Sequence, residues 1–98
     1  MKMQAIVKWV PKKLTPWVKK DQEYEIFMFY PVSFPHIFCW DKNSGHGDAS
    51  LEYFHQCKKM DKETAQKYLD DYCKRYDCVG QIELRQRIYY KYWRQEYA

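Results

Sequence analysis

Three glycines in 98 residues are too few, and too scattered, for a phosphate-cradling loop or a dinucleotide fingerprint, so nucleotide binding of those two kinds is excluded. No nucleophile-elbow motif supports a Ser–His–Asp arrangement. No stretch approaches the roughly 18 apolar residues that a membrane helix needs, and no membrane partner is expected. The opening MKMQAIVKWV lacks the apolar run of a secretory signal, which leads to the expectation of an intracellular, cytoplasmic chain. Its four cysteines then read as reduced thiols, not as two disulfides. They contain no C-x2-C pair, so a zinc site built from Cys57, Cys73, Cys78 and a histidine has no spacing to support it. Low-complexity tracts and internal repeats are missing too, so disorder and a solenoid are not expected.

Aromatic residues are abundant. They make up 19% of the chain, with ten tyrosines and four tryptophans. Each Tyr or Trp carries a polar atom that needs a partner, so some of these rings must stay half exposed. Half-exposed Tyr, Trp and Arg are the residues from which interface hot spots are made. The plainer alternative is a core built from Tyr in place of Leu.

The net charge of +4 is unevenly spread. Residues 1–20 hold six lysines and no acid, whereas residues 21–60 hold six acids against three lysines. A basic start and a mildly acidic middle fall short of the footprint of a dedicated nucleic-acid binder.

Along the chain, Gln4–Val10 reads as a strand, ended by Pro11, and residues 11–22 as a polar connection from which Leu14, Trp17 and Val18 fold back. Glu23–Tyr30 is the clearest strand, with apolar residues on both parities toward its end. Pro31 stops it, Val32–Pro35 turns, and His36–Asp41 returns as the second arm of a hairpin. The loop Lys42–Gly47 places His46 between two glycines. Asp48 is a candidate cap for a short helix over Ala49–Lys59, although Leu51, Tyr53, His55 and Cys57 also alternate as a strand would. Asp61–Tyr76 is the best-specified element. Asp61 is its N-cap, and Ala65, Tyr68, Leu69, Tyr72, Cys73 and Tyr76 share one face. Gln81–Trp93 reads as a long last strand from its β-branched and aromatic content, with a helix as the alternative. The fold class that results is α+β: one domain over 1–98, with an antiparallel sheet of about four strands and one or two helices packed on one face.

The stretch from Phe38 to Cys57 concentrates candidate chemistry. Asp41, His46 and Asp48 together can ligate a divalent metal, but a turn residue and a helix cap account equally for the two aspartates. Cys39 with His46 or His55 can form a nucleophile–base pair, but no local signature supports it, and a small thiol among Ile37, Phe38 and Trp40 packs well. No cofactor is expected. The last strand carries Arg85, Arg87, Tyr89, Lys91 and Trp93 on the face away from the helix, and Arg94 follows it. Cations interleaved with aromatics suit a protein contact first, a solvated face second and a single-stranded nucleic acid third. Arg85, Arg87, Tyr89, Lys91, Trp93 and Arg94, with Asp41, His46 and Asp48 at the rim, form the expected partner-binding set.

In size and manner the whole chain resembles the small accessory proteins of bacteriophages and mobile elements, including anti-CRISPR proteins and other inhibitors of host defence. The features that carry the resemblance are few glycines, many tyrosines, mixed charge and no catalytic motif. It implies a non-enzymatic protein, monomeric or homodimeric, that docks on a host protein and inhibits it. Many such inhibitors mimic DNA with acidic surfaces, a mode at odds with the basic balance here; Asp41, Asp48, Glu52, Asp61 and Glu63 can still make a local acidic patch. The alternative expectation is a nucleic-acid-binding regulator that uses the Lys-rich N-terminus and the last strand.

Overall fold

A computed structural model describes residues 3–14, 24–30, 37–41 and 45–87. Strand β1 (Met3–Val10) lies at the middle of the sheet. It pairs antiparallel with β2 (Tyr24–Tyr30), which pairs antiparallel with β3 (Ile37–Asp41), and β3 with β4 (Gly45–Ala49). The other edge of β1 is shared by two short strands. At one end it pairs antiparallel with β5 (Lys58–Lys59), at the other parallel with β6 (Ile82–Leu84). Helix α1 (Leu51–His55) and helix α2 (Lys62–Arg75) complete an α+β fold. No helix among the described residues is long and apolar enough to cross a membrane.

Strands β1 and β2 are apolar on both parities because both faces of the sheet are covered. Ala5, Val7, Phe27, Phe29 and Trp40 form one core with Ala65, Leu69, Tyr72 and Cys73 of α2. The alternate residues Ile6, Val10, Ile26, Met28 and Cys39 form a second core with Phe54 and Cys57 from the α1 region. Phe27 is wholly buried, with the rings of Trp40 and Tyr72 at 5.3 and 5.2 Å. Burial of one such side chain is worth about 1.5–3 kcal/mol. Lys8 Nζ donates to the Phe54 carbonyl at 3.3 Å and lies 4.8 Å from the ring centroid, which ties β1 to α1.

Helix α2 begins as its sequence dictates. The Asp61 carboxylate accepts from the Thr64 N–H at 2.9 Å, and that bond holds its carboxyl below the ordinary value. At the far end Asp77 takes a left-handed φ of 54° and the Cys78 N–H donates to the Cys73 carbonyl at 2.8 Å. That bond is the Schellman closure, made here with an aspartate where glycine is usual.

Several expectations are corrected. Among the described residues the sheet has six strands, not about four, and is mixed because β6 runs parallel to β1. The helices lie on opposite faces, since each packs against a different parity of the same strands. Within Ala49–Lys59 only Leu51–His55 is α-helical, and its cap is Ser50, whose Oγ accepts from the Tyr53 N–H at 3.0 Å. Asp48 caps nothing; it belongs to β4, opposite Phe38. Gly45–Gly47, expected in a loop, open that strand. The last strand ends at Leu84 and the chain bends at Gln86–Arg87; residues 88–93 of the expected strand lie outside the described residues. The hairpin of β2 and β3 forms as expected, and its turn at 32–35 lies outside the described residues. After Pro11 a 3₁₀ turn, Lys12–Leu14, brings Leu14 back onto the second core; Trp17 and Val18 lie outside the described residues.

Candidate functional site

Strand alternation sends the side chains of Phe38 and Trp40, and of their partners Asp48 and His46, to the α2 side of the sheet. There they meet the end of α2. His46 stacks on Phe38 with ring centroids 5.3 Å apart and planes 11° from parallel. His46 Nε2 lies 2.8 Å from the Tyr72 hydroxyl, and its ring meets Tyr76 edge-on at 4.9 Å. Trp40 Nε1 donates to the Tyr76 hydroxyl at 2.8 Å. The Arg75 guanidinium sits 6.0 Å from the Trp40 ring and 5.8 Å from that of Tyr76, within cation–π range.

The lower layer of this cluster is buried and its upper layer is not. Tyr72 and Trp40 are core residues, whereas Phe38 is 42% exposed and Tyr76 40% exposed. Burial pushes the Tyr72 hydroxyl up to about 12, so at neutral pH it keeps its proton and can donate to His46. Beside Trp40 a cavity of about 180 Å³ opens between the sheet and α2, lined by Glu25, Phe27, Tyr68, Asp71 and Arg75. The cluster therefore offers a rigid aromatic surface with one cation and a notch next to it. Such a surface binds by shape and desolvation.

The expected site residues are dispersed. His46 and Asp48 share the α2 side, but Asp41 has the parity of Cys39 and points to the opposite face. There it lines a cavity of about 390 Å³ with Ile26, Gly47, Ala49 and Tyr53, which Asp48 also borders and His46 does not. Asp41, His46 and Asp48 thus do not converge on one point, and no three His, Cys, Asp or Glu side chains among the described residues are grouped to hold a metal. Cys39 and His46 are likewise on opposite faces. Burial, with the negative charges of Asp48, Cys57 and Asp41, pushes the Cys39 thiol up to about 12, the reverse of an activated nucleophile.

Arg85 leaves β6 at the far edge of the sheet, with β3, β2 and β1 between it and β4. Its backbone N–H donates to the Ala5 carbonyl at 2.8 Å and its Nη1 pairs with Glu83 at 3.0 Å. Arg87 follows it in the bend. The structure therefore does not bring these arginines beside His46 and Asp48. Tyr89, Lys91, Trp93 and Arg94 lie outside the described residues.

Sequence reasoning missed Phe38, Trp40, Arg75 and Tyr76 as members of one surface. One signal was present: Tyr76 ends the apolar stripe of α2 just where the helix stops, so it overhangs the core. Comparison of the chain with known protein families, with curated proteins and with solved structures gives no match.

Proposed function

We propose that the protein is a small non-enzymatic binding protein of the phage-accessory kind, which docks on a host protein, such as a CRISPR–Cas or other defence component, and blocks it. The observation that supports this reading is the pair of half-exposed rings Phe38 and Tyr76, joined through His46, underlain by Tyr72 and Trp40 and flanked by Arg75. Rigid aromatic side chains beside an arginine give up little rotamer freedom on binding and have the hot-spot composition. Asp48 supplies a polar rim on the same face. Arg85 and Arg87 belong to a separate surface in this reading.

The test is a side-by-side capture from nuclease-treated bacterial lysate by the natural chain and by Phe38→Ala/Tyr76→Ala. A stoichiometric protein retained by the first and lost by the second, with the fold of both verified by circular dichroism, is the expected result. The captured protein is then assayed for loss of activity when the natural chain is added. Equal capture by both chains removes this surface, and undiminished activity of the captured protein removes inhibition.

A second reading is favoured by one observation. The pairing of β1 with β5 sets Lys8 opposite Lys59 and Trp9 opposite Lys58, with Lys12 and Lys13 in the turn that follows β1. Lysines distant in sequence are thereby gathered at one end of β1; Lys8 is engaged by Phe54, and Lys12, Lys13, Lys58 and Lys59 suit a polyanion such as a nucleic-acid backbone. Affinity for single-stranded DNA or RNA that falls steeply with added salt supports it; undetectable binding at low salt removes it.

A further inference from the structure

We propose that β4 is a homodimer interface, in which a second copy of this chain adds its own β4 antiparallel across a two-fold axis at Gly47. The outer edge of β4 has no strand partner among the described residues. An exposed edge invites pairing with another chain unless it is short, charged with lysine, broken by proline or covered.

The two edges of this sheet differ in that respect. The edge beyond β1 is made of a two-residue strand of lysines and a three-residue strand followed by arginine. The edge at β4 is five residues, GHGDA, without lysine or proline. Gly47 is in ordinary extended backbone, and a Cβ placed on it meets nothing within 4 Å. A neighbouring backbone can therefore come close.

The sequence of β4 is complementary to itself in one register. With Gly47 opposite the partner's Gly47, His46 stands directly opposite the partner's Asp48, and Asp48 opposite the partner's His46. Gly45 and Ala49 then face each other without bulk. A side-chain donor directly opposite a carboxylate stabilises an antiparallel pair, and two carboxylates opposite each other destabilise it. The symmetric register thus forms two such pairs, as an isologous interface requires. His46 Nε2 is engaged by the Tyr72 hydroxyl, so Nδ1 is the ring nitrogen that remains to donate to the partner's carboxylate.

The axis is perpendicular to the sheet, so both copies keep the same face toward α2. Both aromatic surfaces then lie on one side of a continuous sheet. This consequence rests on the docking reading; the dimer itself does not.

The experiment is sedimentation of the full chain from about 1 to about 200 µM, a span that brackets micromolar association. A concentration-dependent shift from the 12.2 kDa monomer to twice that mass is expected. His46→Asp sets two carboxylates in register and Asp48→His leaves each imidazole without its acceptor, and each raises the dissociation constant at least about tenfold. An equimolar mixture of these two variants restores association, because each imidazole then faces a carboxylate.

Gly47→Cys gives a readout that leaves His46 and its contacts intact. Directly opposed Cα atoms stand about 4.5–5.5 Å apart, within disulfide range. Oxidation is expected to yield a covalent dimer that the natural chain, with its own four thiols, does not form. A chain that stays monomeric throughout the range overturns the proposal and leaves the edge to a strand from another protein. So does a dimer indifferent to the charge swaps, or a Gly47→Cys variant that does not cross-link.

Discussion

Trp40 Nε1 donates to the Tyr76 hydroxyl at 2.8 Å, joining β3 to the last turn of α2 across 36 positions of the chain. The indole is 6% exposed, so its N–H has little water to turn to. The bond therefore fixes where the end of α2 sits over the sheet, and with it the positions of Arg75, Tyr76 and His46.

Tyr76→Phe keeps the ring and removes only the acceptor. It is expected to destabilise the protein by about 1–3 kcal/mol, the cost of an unsatisfied buried donor. Urea unfolding followed by tryptophan fluorescence measures it. In Trp40→Phe/Tyr76→Phe the loss should be smaller than the sum of the single losses, because the two groups act on one bond. Full additivity would mean that the bond contributes nothing to stability.

Backbone conformation separates three substitutions. Gly45 has a φ of 75° and Asp77 a φ of 54°, both in the left-handed region, while Gly47 does not. Gly45→Ala is expected to cost about 1 kcal/mol and Asp77→Gly to gain somewhat less. Gly47→Ala should change stability by no more than about 0.5 kcal/mol, since its added methyl enters open space. Urea midpoints of the three variants check the order, and equal losses at Gly45 and Gly47 would contradict it.

The thiols divide by burial. Desolvation pushes Cys39 and Cys73 up to about 12 and Cys57 up to about 11, whereas Cys78 is half-buried. At pH 8 a thiol at 12 holds about a thousandfold less thiolate than one at its ordinary value of 9.0. Ellman's reagent is expected to react promptly with Cys78 alone among the four, and with the rest only after unfolding. Folded-state values raised above the unfolded 9.0 mean that the native chain holds more protons than the unfolded one at alkaline pH. Their contribution to stability is complete below pH 9 and is lost as the pH rises from there toward 11–12. Urea midpoints at neutral pH and at pH 10.5 check that direction.

Much of the fold is legible in the order of residues alone. Both parities of Glu23–Tyr30 turn apolar, which marks a strand covered on two faces, and β2 is that strand. The stripe Ala65, Leu69, Tyr72 and Cys73 and the cap at Asp61 set α2 almost to the residue. These signals act within a turn or two of the chain, so sequence alone carries them. The tyrosines took both courses the composition allowed: Tyr72 is buried in the core, Tyr24, Tyr53 and Tyr68 are half-buried, and Tyr76 is exposed.

The site was not legible in the same way. Gly-His-Gly-Asp-Ala has no strand propensity, and its hydrogen bonds come from β3, so only pairing could make it β4. That pairing fixes which face each residue takes, and a shift of one residue would exchange them all. It sends His46 to Tyr72 and Asp41 to the opposite face, and it dissolves the expected grouping of Asp41, His46 and Asp48. Strand order decided the rest: with β6 on the far side of β1, Arg85 and His46 stand at opposite edges. Sequence determined which segments bury their faces, because periodicity and capping are local. Tertiary structure decided which side chains meet, because register and strand order are set by backbones distant along the chain.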